Sequence, residues 1–156
     1  ISPAEVFFNA NQSLCENNDA GMFVTAFMGL LDCKTGILRY VNAGHNPPVI
    51  YNTATGQLIH LHSLCVGIGM LDEIPVVEQK VLKIDDYSKM VLYTDGLSDL
   101  KGADGREILT KEIVKHITNN DPVEVNIKKM LNKLGIPDQN PDLFDDVSIL
   151  AADLRR

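Results

Sequence analysis

The sequence predicts an α+β fold whose sheets are antiparallel, and three observations point there. Alternating stretches rich in β-branched residues fill the middle of the chain, turn residues separate them at hairpin spacing, and the helical periodicities are grouped mainly toward the end. With 156 residues, 45% of them hydrophobic, the chain is long enough for one compact domain and too short for two of ordinary size, so 1–156 reads as a single folding unit. It opens on Ile1 rather than Met, with a helix signal almost at once, which suggests a piece of a longer polypeptide.

Ser2-Pro3-Ala4-Glu5 has the form of a capping box with proline at the first helical position. Val6, Ala10 and Leu14 then repeat at helical spacing up to Asn17-Asn18. The run from Met22 to Leu31 is apolar on both alternating faces, as in a strand covered on both sides. The turn Asp32-Cys33-Lys34-Thr35-Gly36 joins it to ILRYVN, a hairpin. A second hairpin runs from PVIYN through Thr53-Ala54-Thr55-Gly56 to QLIHLH. VVEQKVLKI and KMVLYT are further strands on either side of Asp85-Asp86.

Helical periodicity returns at LTKEIVKHI. Asp121-Pro122-Val123-Glu124 repeats the capping logic before a face of Val123, Ile127, Met130, Leu131 and Leu134, which Gly135 and Pro137 end. A polar loop, PDQNPDLF, leads to a last strand, VSILAADL.

A formal net charge of −7 argues against nucleic acid or an anionic membrane as the main partner. No apolar run approaches the roughly 20 residues of a membrane span, and no signal-peptide pattern opens the chain, so a cytoplasmic protein without membrane insertion is expected. Cys15, Cys33 and Cys65 are odd in number without CxxC spacing, which implies reduced thiols rather than disulfides or zinc.

Chemistry concentrates where acidic residues meet strand ends: Asp95-Gly96 directly after VLYT, and Asp145-Asp146 directly before VSIL. A carboxylate at a strand end has a fixed backbone and reaches solvent. Converging carboxylates from separate strands suit hard divalent cations such as magnesium or manganese. Gly96 removes a side chain from beside the ion. Each pair alone reads equally well as a turn or loop residue, but LSDLKGADGRE after Gly96 does not resume strand alternation as a simple hairpin would.

MFVTAFMGLLDCKTGILRYVNAGHNPP, VLYTDGLSD and DDVSIL occur in an order and context that resembles the SpoIIE/RsbU-like branch of the metal-dependent protein phosphatases, the PPM family. The resemblance runs from the first helix to the last strand. It implies an antiparallel β-sandwich flanked by helices, with two manganese or magnesium ions at one end between the sheets. Asp95 of YTDG and Asp145 of the terminal DD motif are the implied metal ligands, with Gly96 and Asp146 as further candidates. Relatives of the wider family carry Asn where this chain has Asp146. The implied activity is phosphoserine or phosphothreonine hydrolysis by a cation-activated water, without a covalent enzyme intermediate. The implied partners are a phosphorylated anti-sigma-factor antagonist and a sensor or receiver domain fused ahead of this one.

The family's early DxxGxG aspartate has no counterpart here, so the first strands and one ligand are expected to lie outside the sequence. The chain alone is then expected to be weakly active or inactive, and open sheet edges would invite a homodimer. A non-catalytic binding module with the same fold is the alternative. Asp99 stands where relatives more often have Glu, which changes reach and not charge.

His45, in NAGHNPP, is a candidate phosphate contact or proton carrier, although a His beside Gly44 and two prolines more commonly serves its own turn. His60, His62 and His116 read as ordinary strand and helix-face residues. Cys33 through Arg39 has the CxxxxxR spacing of cysteine-dependent phosphatases, but no helix follows to cradle phosphate. Gly67 and Gly69 in SLCVGIGML read as a loop, with substrate contact as a second role.

Overall fold

Two hairpins are built by the same turn chemistry, and this sets the register of the two strands that each turn joins. In the first, Asp32 Oδ1 accepts the Lys34 and Thr35 amides at 2.8 and 3.1 Å, and Gly36 takes φ +72°. In the second, Asn52 Oδ1 accepts the Ala54 and Thr55 amides, each at 2.9 Å, and Gly56 takes φ +73°. An Asp or Asn side chain bonding two and three residues ahead, followed by a left-handed Gly, turns the chain back on itself. Those amide bonds, from Thr35 foremost and then Lys34, hold the Asp32 carboxyl below its ordinary range.

The computed structural model describes residues 1–16, 18–74, 77–99, 110–133 and 146–154. They divide into two compact units, Ile1–Pro47 with Leu61–Asp85, and Pro48–His60 with Asp86–Arg155.

The first unit holds α1 (Pro3–Cys15) and a three-stranded antiparallel sheet in the order β1-β2-β5, with β1 at Ala26–Asp32, β2 at Ile37–Ala43 and β5 at Lys80–Lys83. Phe7, Val41, Ala43 and Ile68 form its core, with Ala4, Ala10, Leu14 and Met28 against them. The helix therefore faces inward through Phe7, while Val6, expected on that face, is 38% exposed. Nor does the capping box form: the Ser2 hydroxyl accepts no amide of its own helix and instead donates to Gln79 Oε1 at 3.1 Å. The first strand is shorter than expected: Met22, Phe23 and Val24 precede it and are exposed, and only Val24 bridges, to Ile68.

The second unit holds β3 (Val49–Asn52), β4 (Leu58–His60), β6 (Ser88–Tyr93) and β7 (Ile149–Leu154) in the antiparallel order β4-β3-β6-β7. Its helices are α2 (Asp95–Ser98), α3 (Thr110–Ile117) and α4 (Val123–Lys133). Val49, Val91 and Tyr93 pack with Leu97, Ile113, Val114, Ile117 and Met130, so α3 and α4 cover one face of this sheet. Lys89 lies on the same face and is almost fully buried. Its ammonium donates to the carbonyls of Asn119, at 2.8 Å, and Asp121, tying the α3–α4 connection to β6. β5 and β6 do not pair across Asp85-Asp86; each joins a different sheet.

α4 starts where expected, but its cap comes from elsewhere in the chain: the Val123 amide donates to Asp153 Oδ2 at 3.3 Å. The Asp121 carboxylate is engaged by Lys129 Nζ at 2.7 Å, and this ion pair lowers its pKa. Buried Asn126 joins Val123 and Met130 on the inward face, where an apolar stripe was expected. Leu134, Gly135, Pro137 and the loop through Phe144 lie outside the described residues.

Candidate metal site

β6 and β7 run antiparallel with Tyr93 opposite Ile149, so the end of one strand lies beside the start of the other. This pairing brings the two acidic segments together. The ladder extends one step beyond the strands, where the Thr94 amide donates to Ser148 O at 3.0 Å. The Thr94 side chain adds two bonds: its hydroxyl donates to Asp146 O at 3.1 Å and accepts the Ser148 amide at 3.0 Å.

Thr94 is extended and is the N-cap of the short helix α2, in which Asp95 is the first residue. Leu97 and Ser98 therefore continue as a helical turn rather than as a hairpin strand, and most of LSDLKGADGRE lies outside the described residues. Asp95 is exposed, whereas Gly96 and Leu97 are buried, and Leu97 locks this turn into the core of the unit. The Gly96 amide donates to Asp95 Oδ1 at 3.1 Å, which biases the carboxylate's orientation. Asp146 is exposed as well. Asp145, the second implied ligand, lies outside the described residues.

Among the described residues, no three His, Cys, Asp or Glu side chains form a complete ligand set. What Asp95 and Asp146 offer is oxygen donors alone, at solvent-reachable positions on a hydrogen-bonded backbone, and that donor chemistry fits a hard divalent cation.

His45 belongs to the first unit, and the turn around it is built by Asn42. Asn42 is fully buried; its Oδ1 accepts the His45 amide at 2.9 Å, and its Nδ2 donates to His45 O at 3.0 Å and Leu61 O at 2.9 Å. Gly44 sits at φ +69°, and its amide donates to Ser63 Oγ at 2.8 Å. Thus the Asn42 and Ser63 side chains hold the backbone of Gly44 and His45.

Cys33 and Arg39 are both exposed, one in the β1–β2 turn and one within β2, so the CxxxxxR spacing forms no phosphate cradle. Gly67 and Gly69 answer a packing demand. A Cβ at Gly69 would lie 2.6 Å from Leu14 Cδ2 and 2.9 Å from Met22 O, and one at Gly67 would lie 3.1 Å from Val24 O. Thr94 was not singled out in the sequence: it stands at an N-cap position, yet its hydroxyl bonds Asp146 and Ser148 and caps no amide of its own helix.

The family model for Stage II sporulation protein E (SpoIIE) matches residues 1–155. Phosphoserine phosphatase RsbU of Bacillus subtilis is 30% identical over 162 residues, which cover 100% of this chain and 46% of that protein. Protein IcfG of Synechocystis sp. is 29% identical over 137 residues, or 87% of this chain and 21% of that one. The chain thus spans less than half the length of these curated relatives. Among solved structures, the SiaA-PP2C domain of Pseudomonas aeruginosa superposes with a TM-score of 0.77 at 16% identity, over 96% of this chain and 60% of that one. Matched along nearly its whole length and folded like a PP2C domain, this chain belongs to the SpoIIE family.

Proposed function

We propose that the chain forms one domain, 1–156, of a metal-dependent protein phosphatase that hydrolyses phosphoserine or phosphothreonine. The observation that supports this reading is the Thr94 clasp, which ties the residue before Asp95 to the backbone of Asp146 and Ser148. The RsbU relative, itself named a phosphoserine phosphatase, supports the reaction class.

In this reading Asp95 and Asp145 hold manganese or magnesium, with the Gly96 backbone and Asp146 close by. When bound, such cations supply an acidified water and neutralise charge on the phosphate. The chain's own part is geometric: Asp95 stands on backbone whose hydrogen bonds are already made, so on that side little ordering is needed when a cation arrives. An acidic protein can then bind an anionic substrate without a basic surface. The substrate class we propose is a phosphorylated anti-sigma-factor antagonist, in the cytoplasm, under control of a sensor or receiver domain of the intact protein. No helix among the described residues is long and apolar enough to cross a membrane.

The test is hydrolysis of a phosphoserine protein by the intact protein, stripped of metal with a chelator and resupplied with manganese. Activity that depends on manganese and disappears in Asp95→Asn is expected. Equal turnover by Asp95→Asn would remove the metal assignment.

A further inference from the structure

Lys89 stands where the alternation of β6 calls for an apolar residue. Val91 and Tyr93, on the same face, join the core beneath α3 and α4, and Lys89, 2% exposed, brings an ammonium under the same cover. Taking a charge out of water is costly, and a well-packed apolar residue often serves stability as well or better. Packing alone therefore does not account for a lysine here.

The ammonium is received by oxygens of one short stretch. Nζ donates to Asn119 O at 2.8 Å, to Asn119 Oδ1 at 3.4 Å and to Asp121 O. Those oxygens are themselves held. Asn119 Oδ1 accepts the Asp121 amide, Asn119 Nδ2 donates to His116 O, and buried Asn126 donates to Asp121 O, each at 2.9 Å. Asp153, opposite Lys89 in the β6–β7 ladder, accepts the Val123 amide at 3.3 Å just beyond. Fixed, converging carbonyl-type oxygens are the donor set that replaces the hydration shell of a monovalent cation. We infer that the α3–α4 connection is a monovalent-cation site, of the class that takes ammonium or potassium, and that the chain fills it with an ion of its own, the Lys89 ammonium. With the ion in place the connection is fastened to β6. Without it, oxygens converge with no positive charge between them, and the connection opens. The rival account is that the apolar stem of the lysine is the anchor and its charge incidental. The inference does not depend on the metal site.

The test is chemical rescue in the intact protein, read by hydrogen exchange. Lys89→Ala removes the ammonium and the stem beyond Cβ, an outline that propylammonium matches. Exchange within 118–123 should speed up at least about tenfold, the loss expected for one hydrogen bond to a charged group. Propylammonium chloride should slow it again, while 1-propanol, of the same length without the charge, and tetramethylammonium chloride, a charge without N–H donors, should not. The unsubstituted protein should respond to none of them. Lys89→Met keeps an apolar stem and removes only the charge, so it tests the inference even where Lys89→Ala does not fold; it too should speed exchange within 118–123 about tenfold and leave 37–43 unchanged. Exchange in Lys89→Met equal to that of the unsubstituted protein would overturn the inference in favour of the stem. Rescue by propanol as good as that by propylammonium, no rescue of a folded Lys89→Ala, or equal acceleration in 37–43 would overturn it as well.

Discussion

The hydroxyl of Thr94 donates to the backbone carbonyl of Asp146 across 3.1 Å and accepts the Ser148 amide across 3.0 Å. One side chain thus closes the gap between the end of β6 and the approach to β7. Thr94→Val keeps the shape and removes both bonds. We expect a stability loss of about 1–2 kcal/mol and weaker manganese binding by calorimetry, with Thr94→Ser restoring both. Unchanged manganese affinity in Thr94→Val would show that the clasp serves the fold alone.

Gly69 adopts φ +86°, and any Cβ there would collide with Leu14 and the Met22 carbonyl. Backbone strain and overlap act together, so Gly69→Ala should destabilise by about 2–4 kcal/mol in urea unfolding. A loss below about 0.5 kcal/mol, the range of an ordinary surface change, would show that the loop and α1 separate easily.

The Tyr93 hydroxyl is buried, and among the described residues it has no hydrogen-bond partner. The phenol therefore carries a desolvation cost that phenylalanine lacks, and Tyr93→Phe should leave stability unchanged or raise it by up to about 1 kcal/mol. A loss of more than about 1 kcal/mol would reveal a partner for the hydroxyl.

Burial lowers the His116 pKa from 6.5, with Lys133 and Lys115 adding to the effect and Glu112 opposing it. The folded state thus binds a proton less readily than the unfolded chain. Its contribution is fully present above the unfolded value and is lost as pH falls through the depressed folded value. Urea midpoints should fall as pH drops below about 6.5, and His116→Gln should fall less steeply. Parallel slopes for the two proteins would assign the decline to other groups.

The strands and turns were legible because their signals are local. Asp32 and Asn52 each carry, three and four residues on, the Thr and Gly that close a hairpin. The acidic residues at the end of β6 and before β7 were legible as candidates, and the pairing of the two strands sets the end of one beside the start of the other. What the sequence hid depends on distant partners. Ser2 and Asp121 look like helix caps, yet Gln79 and Lys129 take their side chains, and Asp153, 30 residues on, caps α4. Val6 and Phe7 are adjacent apolar residues on one helix, and helical spacing alone favoured the wrong one for the core. Met22–Val24 read as a covered strand because apolarity reports a tendency to be buried and not what does the burying.

In the proposed site Asp95 and Asp145 share a cation. The most direct measurement is anomalous diffraction from crystals of the intact protein grown with manganese. A manganese peak within bonding reach of both carboxylates, absent in Asp95→Asn, is the predicted result. Manganese bound away from either carboxylate, or a peak that Asp95→Asn leaves in place, would contradict it.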